Sequence, residues 1–124
     1  MPTYMNKVPG IISIYDYFIE DFLETLSRLP LEYQFKELFG RKILVLDFCG
    51  MISKYKNKFK DADVYLAQKS DSYRSGLAKM VHSYDVVYVL KYELQEVFLP
   101  FPTIEVAFLK GRIIKTEFVH GTPR

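Results

Sequence analysis

The sequence predicts an α/β fold: a mixed β-sheet with flanking helices, closed by a C-terminal β-hairpin and preceded by extra N-terminal helices. Three observations predict it. Residues 43–48, ILVLDF, form an apolar run without alternation, as expected of a strand buried on both faces of a parallel or mixed sheet. Two further apolar runs, Ile104 to Leu109 and Ile113 to Val119, flank Lys110-Gly111, a hairpin pattern with glycine in the turn. Between them lie segments whose apolar residues recur at helical spacing.

Residues 13–28 place Ile14, Tyr15, Phe18, Ile19, Phe22, Leu23 and Leu26 on one helical face, with Asp16, Glu20, Asp21 and Glu24 mainly opposite. Ser13 with Asp16 forms the expected capping pair. A second helix begins at Pro30, a favoured first-turn residue, and stops near Gly40, burying Leu31, Phe35, Leu38 and Phe39. After the 43–48 strand, Met51, Ile52, Tyr55 and Phe59 recur at helical spacing over 51–60, although the interleaved Lys54, Lys56, Lys58 and Lys60 alternate as in a strand. Val64 to Ala67 is the next strand, parallel to the first across a helical crossover. Ser70 or Asp71 caps a helix running to about Ser83, with Tyr73, Leu77, Met80 and Val81 inward. Val86 to Leu90 is strongly β-prone, and the sequence leaves open whether it joins the main sheet. Lys91 to Phe98 is expected to form a helical turn or two before Pro100. Pro102 stands at the mouth of the hairpin, where it directs the chain without offering an N–H to the ladder. No repeat or linker interrupts the order, so residues 1–124 are expected to form one domain, with 1–40 a helical extension and 41–121 the core.

Composition narrows the function classes. The formal charge of +2 gives no global case for nucleic acid or for an anionic membrane. A single Cys excludes an internal disulfide and any multi-Cys metal site, and suggests a reducing compartment. The N-terminus lacks the basic and apolar regions of a signal peptide, and no run of about 18 apolar residues exists to span a membrane. A soluble, cytoplasmic protein is the expectation, in the host cytoplasm if the source is viral. Ten Tyr, ten Phe and no Trp accompany only two Asn and three Gln, with abundant Lys and Glu, a balance that fits a thermophile or a virus infecting one.

From Lys42 to Gly121, the order of elements resembles the thioredoxin-like fold family. The residues carrying the likeness are Asp47-Phe48 at the end of the first strand, Pro102-Thr103, the Lys110-Gly111 turn and Gly121. The resemblance implies a cis-Pro102 and a Pro102-Thr103 corner whose exposed backbone pairs with an extended partner peptide. Active members open the next helix with Cys-x-x-Cys, where the helix N-terminus stabilises a thiolate. Here that region reads Gly50-Met51-Ile52-Ser53-Lys54-Tyr55, and Cys49 stands too early to match the nucleophile. Residues 84–99 are also longer than the family's usual link, and the family's terminal helix does not follow Val119. The sheet face left bare would then need the N-terminal helices, or a second copy, as cover.

Each candidate site has a plainer alternative. Cys49 is taken first as a small buried hydrophobe, and second as a single reactive thiol helped by Lys54 or a helix N-terminus. Arg41, Lys42, Lys54, Lys56, Lys58 and Lys60, with Tyr55 and Phe59, offer phosphate contacts and stacking. A solvated face with inward aromatics is favoured over that nucleic-acid interface. His82 and His120 lack ligand-spaced partners, so no metal is expected, and no motif implies a cofactor. Asp47 is expected to make a hydrogen bond or an ion pair with Lys69 or Lys115. The favoured function is a redox-inactive module that binds another protein or itself, with a homodimer as the simplest form. A single-Cys enzyme or redox sensor is the alternative, and nucleic-acid binding through Lys54, Lys56, Lys58 and Lys60 a second one.

Overall fold

The apolar run at 43–47 is buried along its whole length because strands lie on both sides of it. In a computed structural model, which describes residues 12–73 and 75–121, it forms β1 (Ile43–Asp47) of a five-stranded sheet. The other strands are β2 (Asp63–Leu66), β3 (Val86–Tyr92), β4 (Thr103–Leu109) and β5 (Arg112–Val119). Spatial order is β2-β1-β3-β4-β5, with the first four mutually parallel and β5 antiparallel to β4. Four helices accompany them among the described residues: α1 (Ile12–Ser27), α2 (Leu31–Glu37), α3 (Ile52–Tyr55) and α4 (Ser75–Val81). The expected Ser13–Asp16 cap and the inward positions Ile14, Tyr15, Phe18, Ile19 and Tyr73 fall outside the described side chains.

The α/β class, the mixed sheet and the closing hairpin are therefore present, but the strand order is that of an open doubly wound sheet. Val86–Leu90 decides this. Every residue in it is buried, and the strand stands between β1 and β4, so the hairpin never touches β1. The helical turns expected over 91–98 do not form. Lys91 and Tyr92 complete β3, the Glu93 amide extends the ladder to the Phe108 carbonyl at 2.8 Å, and Gln95 N–H closes a tight turn on Tyr92 at 3.0 Å. All described peptide bonds are trans, including the one before Pro102, which corrects the expected cis bond. The hairpin turn is as expected: Lys110 and Gly111 take φ of 53° and 78°, the left-handed pair that matches the twist of the strands.

Two layers cover the sheet. On one face Leu23, Leu26 and Leu38, with Ile52 and Phe59, meet Ile43, Val45, Tyr88, Leu90, Ile104, Val106 and Phe108. On the other, Leu77 and Leu99 cover Leu44, Leu46, Val87 and Val89. Right-handed crossovers produce this alternation, since the chain moves one way from β1 to β2 and the other way from β2 to β3. The N-terminal helices thus contribute core residues. Among the described residues no helix covers the second face of β4 and β5, whose side chains include Glu105, Lys115 and Glu117. Burial raises the Glu105 carboxyl, with Lys91 opposing the shift.

Both middle helices are shorter than their periodicity suggests. The 51–60 segment is one α-turn followed by a 3-10 turn at Lys56–Lys58, and the 70–83 segment is a 3-10 turn at Lys69–Tyr73 before α4. Asp71, expected as a cap, instead accepts the Gln68 amide at 2.7 Å and tightens the turn behind it. Phe39 is also corrected: it is 87% exposed. Helix α2 ends at Glu37 and Gly40 turns the chain at φ 83°, so helical spacing no longer applies by Phe39.

The residue that fills the α2 interface is Gln34, fully buried. Its amide nitrogen donates to the Leu29 carbonyl at 2.8 Å and lies 3.1 Å from Thr116 Oγ1 and 3.3 Å from the Ser27 carbonyl. Its oxygen accepts the Tyr88 hydroxyl at 2.7 Å, and Thr116 Oγ1 donates to Ser27 at 2.8 Å. Carbonyls at the end of α1 that no helical amide can reach are thereby satisfied. Around the amide, Phe35, Phe59 and Tyr88 pack ring on ring, with centroids 5.2 to 6.1 Å apart.

Losing this amide orphans several buried groups at once. Gln34→Ala is expected to cost about 3 kcal/mol and Tyr88→Phe about 1–2 kcal/mol in urea denaturation. Additive effects in the double variant would show that the bond between them carries no coupling. At Gly121 a Cβ would lie 2.7 Å from the Phe101 nitrogen, with backbone on both sides of the contact. Gly121→Ala should therefore destabilise by about 1–3 kcal/mol. An unchanged melting temperature would show that segment free to shift.

Candidate functional site

In an open parallel sheet, ligands favour the crevice where strand order reverses, outside the carboxyl ends of the strands. That point lies between β1 and β3, where Asp47, Phe48, Cys49 and Gly50 face Lys91 to Gln95. Asp47 is 2% exposed and its carboxylate organises the turn. It accepts the backbone amides of Cys49 at 3.1 Å, Gly50 at 2.8 Å and Ile52 at 3.0 Å. The expected partners were Lys69 or Lys115; the structure instead assigns the aspartate to its own loop, because the chain turns sharply at Gly50 (φ 78°).

The crevice is stapled shut. Tyr92 OH donates to the Cys49 carbonyl at 3.1 Å, and Gln95 Nε2 donates to the Phe48 carbonyl at 3.0 Å while its oxygen accepts Tyr92 N–H at 3.0 Å. The Phe48 amide continues the ladder to Leu90 at 2.9 Å. Lys91 is nearly buried, with its ammonium on the Glu93 carbonyl at 3.0 Å. The polar side chains of Asp47, Lys91, Tyr92 and Gln95 are thus hydrogen-bonded to backbone groups of the crevice.

Cys49 sits in this loop, half-buried, its Sγ 3.6 Å from Asp47 Oδ1. Burial, the largest effect, pushes its thiol up from 9.0 to about 11, helped by the Asp47 charge and hydrogen bond and opposed by the Met51 backbone hydrogen bond and by Lys91. A reactive thiol needs the reverse environment. Lys54, proposed as its helper, points elsewhere: its ammonium lies 3.4 Å from the Gly111 carbonyl at the hairpin turn, where Tyr55 OH also donates.

The remaining predicted residues are dispersed. Thr103 is 3% exposed and opens β4, an interior strand with β3 on one side and β5 on the other. Pro102 and Thr103 therefore stand at the start of a strand flanked on both sides, and Thr103 pairs with Val119 of β5. The lysines do not share one face. Lys54 belongs to the hairpin turn, Lys56 is exposed, and Lys58 and Lys60 line a cavity at the opposite end of β1. His120 pairs with Glu20 at 3.0 Å across an exposed surface. No grouping of three or more metal-ligating side chains occurs among the described residues. Among these residues no helix is long and apolar enough to cross a membrane.

Sequence reasoning missed the outer edge of β2. Val64 and Leu66 point to the face that the single turn of α3 would need to be longer to cover, and they are 43% and 70% exposed. The backbone on that side pairs with no strand among the described residues. A four-residue apolar run inside a predicted crossover unit looks like core, and only the short α3 leaves it bare. No protein-family model, curated protein or solved structure matches this chain.

The raised thiol sets a pH test. Alkylation of the native protein should have its midpoint near pH 11, falling to about 9.0 in denaturant. Because the unfolded chain releases this proton first, the Cys49 contribution to stability is full below pH 9.0 and is lost as pH rises toward about 11. Cys49→Ala should remove that part of the slope; a native midpoint at or below 9.0 would restore the thiol-enzyme reading.

Proposed function

We propose that this protein is a protein-interaction module without dithiol chemistry, and that it acts first on itself by pairing β2 with β2 of a second copy. The uncovered edge of β2 carries this reading. It offers a row of backbone donors and acceptors beside two exposed apolar side chains, the combination used in strand addition. An antiparallel pair with Tyr65 on the two-fold axis sets Val64 opposite Leu66 and Asp63 opposite Ala67, on both sides of the axis. No like charges then meet. Beyond the strand ends the same register sets Asp61 opposite Lys69, so the charges complement.

The thioredoxin-like reading of the hairpin half enters the same proposal in reduced form. Pro102-Thr103 and the Lys110-Gly111 turn support it as a frame for an inert scaffold, while the strand order departs from it at β3. Cys49, held protonated at neutral pH, supports the absence of thiol chemistry.

Sedimentation should show a concentration-dependent dimer that Leu66→Lys abolishes without lowering the melting temperature. Tyr65→Cys in a Cys49→Ala background should form an intermolecular disulfide, since directly opposite Cα atoms of an antiparallel pair lie about 4.5–5.5 Å apart, within disulfide range. A monomer at all concentrations, or a dimer indifferent to both changes, would overturn the self-pairing.

A further inference from the structure

The amino end of β1 holds a cavity of about 720 Å³, between α2 and the turn that follows α3. Its apolar floor is Phe35, Leu38 and Ile43, of which Leu38 and Ile43 are buried in the main core. At the rim stands Phe39, 87% exposed, a large ring with no core to enter. Four cationic residues belong to its lining: Lys36, Arg41, Lys58 and Lys60. Lys36 also lies 5.0 Å from the Tyr33 ring, while Lys58 and Lys60 have no ion-pair partner among the described residues. Two carboxylates, Glu32 and Asp61, share the lining, whose residues sum to a formal charge of +2, as large as that of the whole chain.

We propose that this cavity binds a nucleoside phosphate, with the base against Phe39 and the phosphate between Lys58 and Lys60. The chemistry points to that class in three ways. An exposed aromatic rim suits a planar ring, and stacking on it requires no specific hydrogen bond. The clustered lysines suit a phosphate rather than a carboxylate, because several point charges can share its oxygens. Glu32, Asp61 and the Asn57 amide would repel or waste a purely apolar anion, yet they suit ribose hydroxyls and exocyclic amines, which donate. The volume lies within the range of small-molecule sites. The site owes nothing to the crevice at the carboxyl ends, which the protein closes with its own side chains, or to the edge of β2.

The test is calorimetric titration of the full chain with adenosine monophosphate and diphosphate, and with adenosine, inorganic phosphate and a single-stranded oligonucleotide as separate arms. The nucleotides should bind, while adenosine and phosphate alone should each bind at least about tenfold more weakly, since each keeps half of the contacts. Phe39→Ala should weaken nucleotide binding about tenfold, as expected for loss of a stacking platform. Lys58→Ala with Lys60→Ala should weaken it further and flatten its dependence on salt. All three side chains are exposed, so the variants should keep the wild-type melting temperature, and Lys56→Ala, outside the cavity, should bind normally. Failure of both nucleotides to bind, or binding unaffected by Phe39→Ala and the double lysine change, would overturn the proposal. Binding of the oligonucleotide alone would overturn it in favour of a nucleic-acid strand crossing the same lysines.

Discussion

Gln34 is a polar side chain in a place that an apolar residue would ordinarily fill, and four separate elements depend on it. Its amide holds the end of α1 through Ser27 and Leu29, reaches Thr116 on β5, and receives the Tyr88 hydroxyl from the middle of β3. Helix α1 ends without a glycine cap, so the carbonyls that a Schellman turn would normally satisfy turn inward to this side chain. A buried amide with all its groups paired also specifies geometry more sharply than hydrophobic packing, because a shift of either helix leaves a donor or acceptor stranded. The first face of the sheet is assembled around that requirement. The aromatic ring cluster of Phe35, Phe59 and Tyr88 then fills the space on either side.

The sheet order has a consequence for function. A doubly wound sheet ordinarily presents its reversal point as a binding crevice, and here the crevice is filled by Asp47, Tyr92 and Gln95. Asp47 gives its carboxylate to three loop amides and lies beside Cys49, whose ionisation is opposed by burial and by the Asp47 charge. The same bonds that order this end of the sheet occupy the polar side chains of Asp47, Tyr92 and Gln95. The two surfaces proposed for recognition lie elsewhere, at the bare edge of β2 and below the amino end of β1.

How much of this was legible follows from what each signal depends on. The strand at 43–47 and the hairpin were readable because burial on two faces and a left-handed turn leave direct marks in composition. Val86 to Leu90 has an equally apolar run, yet its rank in the sheet depends on which strands flank it, and that is a tertiary fact. Helix lengths failed at 51–60 and 70–83 because apolar spacing fixes which side faces inward, as Ile52, Phe59 and Leu77 do, without fixing how many backbone turns close. The candidate sites were hardest. Pro102-Thr103 looks like an exposed corner only while β3 is missing from the sheet. The lysines look like one basic face only while 51–60 is one continuous helix.

Gln34 and Phe39 show why the amino-end cavity follows from the same constraint as the core. To seat its amide on Tyr88 and Thr116, α2 must turn Gln34 and Leu38 inward, and both are buried almost completely. The helix stops one residue before Leu38, and the left-handed Gly40 redirects the chain into β1. Phe39 is carried outward by that turn, while Lys36 on the exposed side of α2 comes to face Lys58 and Lys60 across the gap. A longer α3 would bring its own side chains over β2 and over this gap together. The brevity of that one crossover helix therefore bears on both surfaces proposed for recognition.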